Sequence, residues 1–258
     1  MYEISESIFR YAPSIFLLYE ITKHQDQREI VENHNLIVPT SLWKSPVIAG
    51  KSIFDNFAEL PAVRREVDAV ESIFKRHNVF GYHTYDSLVG PTISQISNDL
   101  CNASLIHIAS HSSKNGAIVL ADIDGRDAHF SAADVYKACL AAGKLQPYLV
   151  ILNCCYDQAS GPNICHLSRA LMSCGVPCVI HTIGAVRDDA ATALLTCFYE
   201  TMLQEDLSRN STETVVDCSN SLRIAMLKIM SEQKDKYQPR DWLVYVASGI
   251  AIGQQGSV

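Results

Sequence analysis

The chain has no excess of positive charge. It carries 21 Lys and Arg against 28 Asp and Glu, a formal net charge of −7. Surfaces that bind nucleic-acid phosphates are basic, so this balance argues against a nucleic-acid partner. No apolar run approaches the roughly 20 residues of a membrane span. The longest near the start, Ile15-Phe16-Leu17-Leu18-Tyr19, is too short for a signal-peptide core, and no small-residue cleavage site follows it. The expectation is a cytoplasmic protein without membrane association. The sequence holds no GxxxxGK[ST] loop and no strand–GxGxxG–helix unit, so the common phosphate cradles are absent. A CxxC redox pair is missing, as are internal repeats and low-complexity segments. No cofactor is expected.

Cysteine is not scarce. There are nine, an odd number that fits free thiols in a reducing compartment better than a disulfide framework. The N-x-[ST] sites at Asn102 and Asn210 are then accidental. Cys165, His166, Cys174, Cys178 and His181 crowd into one stretch. However, Cys178 and His181 have opposite parity on a strand, and Cys174-x₃-Cys178 crosses a helix–strand turn. No metal site is expected there. Asp122-Ile123-Asp124-Gly125 lacks the later glutamate of a calcium loop and reads as a hairpin turn.

With 258 residues, 48% of them hydrophobic and 19% charged, the chain is long enough for one large α/β domain with a full core, or for two small ones. The most informative stretch is Tyr148–Asp157, YLVILNCCYD. Leu149 to Leu152 reads as a buried strand of the parallel kind. It ends in Asn153-Cys154-Cys155 and opens into a loop, which sets a thiol at a C-terminal sheet edge, where ligands bind in open α/β sheets. A second such run, Ser104–His111, ends in a histidine. Neighbouring strands would bring a Cys and a His to one crevice, the minimum equipment of a cysteine nucleophile.

Around these two runs strands alternate with helices. Pro46–Gly50 reads as a strand and Ala62–His77 as a long helix with Val63, Val67, Val70, Ile73 and Phe74 on one stripe. Val79–Tyr85 reads as a strand, and Gly90-Pro91 as the start of a helix to about Leu100. Ala117–Phe130 reads as a hairpin turning at Asp124-Gly125, then a helix, Ala132–Ala142, capped by Ser131 and closed by Gly143. Helices are expected from Ile164 to Cys174, from Asp188 to about Leu203 and over Ser219–Gln233, and strands over Cys178–Ile183 and Trp242–Gly249. Ser208–Asp217 reads as a polar loop. The alternation favours a mostly parallel central sheet with helices on both faces.

The ordered motifs resemble one family. Leu60-Pro61 with Glu66 and Ala69-Val70-Glu71 resembles an "LP…E…" helix start, LIHIASHS (Leu105–Ser112) a histidine strand, and LVILNCC (Leu149–Cys155) a cysteine strand. Leu167–Ala170 with Cys174-Gly175, Val186–Ala190, Phe198-Tyr199, Ser221–Ala225 and Pro239–Gly249 with Trp242 continue the match. Together they resemble the CHAT domains, caspase-like peptidase domains of the caspase–separase–gingipain group, over roughly residues 44–252. The resemblance implies a caspase-like three-layer α/β sandwich over residues 44–258, behind an N-terminal segment, 1–43, that packs or links.

The resemblance also implies roles. Cys155 is the nucleophile and His111 the acid or base of a dyad in a cysteine endopeptidase that acts on protein or peptide substrates through a thioester. Backbone N–H groups of Ser112 and Cys155 form the oxyanion hole. Ser112 stands where the family usually has glycine; serine keeps the N–H but strains the backbone if φ must be positive. Cys154 and Cys155 point to opposite faces, so only one can reach the crevice. His107 shares the parity of His111 and reads as a hydrogen-bonded core histidine. Asn153, Asp157 and Asp188 are candidates for a substrate pocket, with an Asx-turn and a helix N-cap as the plainer roles of the two acids. The expected partner besides substrate is a regulatory or activating protein, or a fused TPR-type sensor, outside this chain. The alternative function is a catalytically silent scaffold on the same fold.

Overall fold

A computed structural model describes residues 37–39, 45–155, 164–208, 215–233 and 235–249. The expected Asp157 and the loop from Tyr156 to Asn163 lie outside these residues, as does most of segment 1–43. The strands are β1 (Ile37–Pro39), β2 (Val47–Gly50), β3 (His83–Thr84), β4 (Leu105–His111), β5 (Ile118–Ala121), β6 (Asp127–Phe130), β7 (Leu149–Cys155), β8 (Cys178–Thr182), β9 (Val215–Asp217) and β10 (Tyr245–Gly249). The helices are α1 (Pro61–Arg76), α2 (Ile93–Asn102), α3 (Ala132–Ala142), α4 (Ile164–Ser173), α5 (Asp188–Ser208) and α6 (Cys218–Glu232).

The central sheet has six strands in the order β10-β8-β7-β4-β2-β3. All its pairs are parallel except β10 with β8. Consecutive residues of the central strands alternate between two cores. Ile48, Leu105, Leu149, Ile151, Cys178 and Ile180 face one core, with α1, α5 and α6 over them. Val47, Ala49, Ile106, Ile108, Val150, Leu152, Cys154 and Val179 face the other, under α2, α3 and α4. This is the expected three-layer sandwich: a sheet whose strands are apolar on both faces must be covered on both. Cys174 and Cys178 fall in opposite cores. Gly249, at φ +151, lies against Pro177, and a Cβ there would come 2.0 Å from the Pro177 carbonyl oxygen.

Several boundaries differ from those read in the sequence, each for a local reason. Gly90-Pro91 does not begin α2. Thr92 does, through a capping box in which Thr92 Oγ1 accepts from Gln95 N and Gln95 Oε1 accepts from Thr92 N, which satisfies orphan N–H groups at the helix start. The Pro91 carbonyl instead accepts from Ala121 N. Of Val79–Tyr85 only His83–Thr84 pairs, as an edge strand beside β2. α5 continues past Leu203 to Ser208. The loop expected to end at Asp217 contains β9, antiparallel to β1. Asp217 then caps α6, accepting from Ser219 N and Asn220 N, both at 3.0 Å. A short 3₁₀ turn, Pro239–Asp241, runs on into a turn over residues 242–244, so the expected last strand starts at Tyr245 instead of Trp242.

Candidate active site

The C-terminal edge of the sheet brings the two key runs together. β4 and β7 are neighbouring parallel strands, and His111 and Cys155 are Cα partners at the last step of their ladder. The upstream partners along the same ladder are Ala109 with Asn153 and His107 with Ile151. Only the backbone of Cys155 is described. The Cys154 side chain is fully buried among Val150, Leu152 and their neighbours, so alternation gives position 155 the parity of Leu149 and Ile151 on the other face. Thr182 Oγ1 at the end of β8 donates to the Cys154 carbonyl at 2.8 Å, tying a third strand to this edge.

His111 is half-buried and, among the described residues, is held by the segment 51–60. Its Nε2 lies 2.8 Å from the Ala58 carbonyl oxygen. A carbonyl only accepts, so Nε2 carries the proton, and Nδ1 keeps its lone pair in the neutral ring. The imidazole stacks on Phe57 (centroids 5.3 Å apart, planes at 26°) and meets Phe54 edge-on at 4.7 Å. The next residue, Ser112, bridges to Ile118 in antiparallel fashion. Among the described residues the non-glycine positions with positive φ are Ser45 and Asn78, so Ser112 carries no left-handed strain.

Beneath this edge lies a buried polar network that sequence reasoning did not assemble. Glu66, on the buried stripe of α1, is fully enclosed. Its carboxylate accepts from His107 Nε2 at 2.9 Å, from Asn153 Nδ2 at 2.8 and 2.9 Å, and from Thr192 Oγ1 at 3.3 Å. Asn153 Oδ1 accepts from the Tyr245 hydroxyl at 2.6 Å. Burial, reinforced by the charge of Glu66, pushes the Tyr199 phenol far up. Its O–H therefore stays protonated and donates to His107 Nδ1 at 3.1 Å. His107 is thus the hydrogen-bonded core residue that its parity led one to expect. Asn153 is buried and both ends of its amide are engaged inside this network. The available signal was a glutamate at position 66 among Val63, Val67 and Val70 on an apolar stripe.

Asp188 opens α5 and accepts from Ala62 N at 2.7 Å, so it caps α1 from another helix. Burial raises its carboxyl pKa against the pull of the Ala62 N–H; Glu66 adds to the rise, while Arg65 and His111 oppose it. It therefore lies within electrostatic reach of both the network and His111. No periodicity marks the segment carrying Phe54, Phe57 and Ala58, so the sequence alone assigns it to no element.

Cys101, Cys139, Cys154, Cys174, Cys178, Cys197 and Cys218 are free thiols. Cys174 is pushed up to about 12, first by burial and then by its hydrogen bond to Cys139. Burial also raises Cys101 and Cys197. High thiol pKa values make poor nucleophiles near neutral pH. Among the described residues no helix is long and apolar enough to cross a membrane, and no group of three or more His, Cys, Asp or Glu could hold a metal ion.

The sequence profile of the CHAT domain matches residues 2–254. Among solved structures the fold is similar to the Arg specific cysteine proteinase gingipain R, with a TM-score of 0.59 at 14% identity over 93% of this chain and 53% of that one. It is also similar to the complex of the pro- and mature domains of RgpB from Porphyromonas gingivalis, at 0.54, 14%, 91% and 52%. The Saccharomyces cerevisiae separase–securin complex gives 0.49 at 12% identity over 90% of this chain and 13% of that one. The chain thus spans about half the length of the gingipain chain it matches. No curated protein sequence matches it.

Proposed function

The chain belongs to the CHAT domain family, and on that premise we propose that it is a cysteine endopeptidase working through a Cys155–His111 dyad. The observation that carries this reading is the ladder register, with His111 and Cys155 as Cα partners at the ends of adjacent parallel strands. His111 Nδ1 takes the thiol proton of Cys155. The thiolate attacks a peptide carbonyl, and the oxyanion is held by backbone N–H groups of Ser112 and Cys155. The imidazolium returns its proton to the leaving amine, and water then hydrolyses the thioester and restores the thiol. A negative φ at Ser112 is compatible with this role without a glycine. Asp188, within electrostatic reach of Glu66 and His111, is the pocket candidate among the described residues with a charge to offer a substrate. Asn153 serves the fold from its buried position.

The substrate is a protein or peptide, in the cytoplasm, and the activity is regulated by a partner or sensor outside this stretch. An irreversible thiol-directed peptide probe tests the reading. Labelling is expected in the wild type, lost in Cys155→Ala and kept in Cys154→Ala. The high pKa of Cys174 keeps background alkylation low at neutral pH. No labelling under any activating condition, with the fold intact, would favour the silent scaffold.

A further inference from the structure

We propose that Lys51 and Asp127 are positioning residues for His111, acting through segment 51–60. Among the described residues outside its own strand, the ring and hydrogen-bond contacts of the His111 imidazole come from Phe54, Phe57 and Ala58, so the shape of that segment sets the imidazole. Asp127, at the start of β6, fixes that shape. Its Oδ2 accepts from Asp55 N at 2.9 Å and from Asn56 N at 3.0 Å, while Asp55 Oδ2 accepts from Asp127 N at 2.9 Å. The two carboxylates thus exchange backbone N–H groups across a sequence gap that only the fold closes.

Lys51 supplies the countercharge. Its ammonium lies 3.5 Å from Asp127 Oδ1, and the two side chains are 2% and 3% exposed. The ammonium also donates to the Val89 and Gly125 carbonyls at 3.1 and 3.3 Å, and lies 5.7 Å from the Phe54 ring centroid. Its stem packs on Gly90, at φ +82, where a Cβ would come 2.8 Å from Lys51 Cβ. A lysine buried at this depth is held in one place by its partners. The same cation therefore touches the segment that orients the imidazole, the turn of the β5–β6 hairpin and the loop before α2. Without Asp127, the Asp55 and Asn56 N–H groups lose their acceptor, and the Ala58 carbonyl and both rings are free to drift from His111. A misplacement on the order of 1 Å at a reacting group costs up to about a hundredfold in rate.

For its chemical consequence the proposal rests on the peptidase reading; for its structural consequence it does not. The experiment therefore has two readouts, in wild type, Asp127→Ala and Lys51→Met, with Ile123→Ser on the exposed hairpin turn as control. The first is the ring-nitrogen NMR signature of His111. A single Nε2–H form is expected in wild type and Ile123→Ser, and averaging of both tautomers in the two clamp variants. The second is the rate of Cys155 alkylation by iodoacetamide against pH. A dyad sustains alkylation at about pH 6; the clamp variants are expected to lose about tenfold or more there, and little at about pH 9, where the thiol ionises unaided. A His111 signature unchanged in both clamp variants overturns the proposal whatever the alkylation shows. A changed signature with no acid-side alkylation even in wild type upholds the positioning role and counts against the dyad. If Asp127→Ala does not melt cooperatively, Asp127→Asn, which keeps shape and one acceptor oxygen, is read in the same way.

Discussion

Two histidines on β4, His107 and His111, share a face four residues apart, yet the molecule treats them as opposites. His107 is fully buried with both ring nitrogens engaged, by Tyr199 and Glu66. His111 is half-exposed, with one nitrogen on the Ala58 carbonyl and the ring against two phenylalanines. A ring with both nitrogens committed in the interior has no proton to trade without breaking a buried hydrogen bond. A ring with one nitrogen anchored and one lone pair at the sheet edge can accept and return a proton while its plane stays fixed. The same residue type on one strand thus has both nitrogens engaged in the interior at one position and a lone pair left at the sheet edge at the other, and the distinction is made by neighbours from other elements.

The largest expected effect separates the two directly. His111→Ala should lower thiol-probe labelling or peptide turnover by about 10²–10⁴-fold, the usual range for a general acid–base group. Its unfolding free energy should change by less than about 1 kcal/mol. A severe loss of stability with it would place His111 among the structural residues. Glu66→Ala should do the reverse. It leaves His107 and Asn153 without their acceptor in a buried site, at a cost of about 3–5 kcal/mol, against a total of roughly 5–15 for a folded domain. Urea denaturation measures this, and a loss under about 1 kcal/mol would show that the network contributes little.

A third histidine extends the comparison to pH. His181 on β8 is buried, its Nε2 3.0 Å from Ser248 Oγ and its Nδ1 beside the Thr182 carbonyl. Burial pulls its pKa below the ordinary histidine value, partly opposed by that carbonyl. A depressed folded pKa favours the neutral ring. Its contribution to stability is therefore complete above the unfolded value of about 6.5 and is lost as pH falls through the lower folded value. Urea midpoints should decline as the solution is acidified from neutral, and His181→Asn should flatten that decline. A decline of equal slope in the variant would assign the acid sensitivity to other groups.

The parts of this architecture that rest on periodicity were legible in the chain. The apolar runs ending in His111 and Cys155 gave two strands and their edge, and the stripe Val63, Val67, Val70, Ile73 and Phe74 gave α1. Strand parity set Cys154 and Cys155 on opposite faces and placed His107 on the face of His111, deeper in the sheet. Contacts between residues far apart in sequence were not legible, because no local pattern encodes them. Glu66 meets Asn153 87 positions away, and Asp55 meets Asp127 72 positions away. Boundaries failed where a side chain, not a periodicity, set them: Thr92 rather than Gly90-Pro91 begins α2, and Asp217 caps a helix in what reads as a loop.

The smallest effect concerns Asn153, which links the two regimes because it lies two residues before Cys155 yet hydrogen-bonds with the His107 group. The Tyr245 hydroxyl is the donor to its Oδ1, at 2.6 Å and in a buried setting. Tyr245→Phe removes that donor and almost no volume, so Oδ1 is left unsatisfied at a cost of about 1–3 kcal/mol. The Asn153 Nδ2 donors still hold Glu66, so the strand and the position of Cys155 should survive. The expected result is a modest drop in the urea midpoint with the pH profile of Cys155 alkylation unchanged. If the alkylation profile moves while stability does not, Asn153 and Tyr245 act on the reacting edge, and the boundary between the structural histidine and the chemical one lies deeper in the sheet than His111.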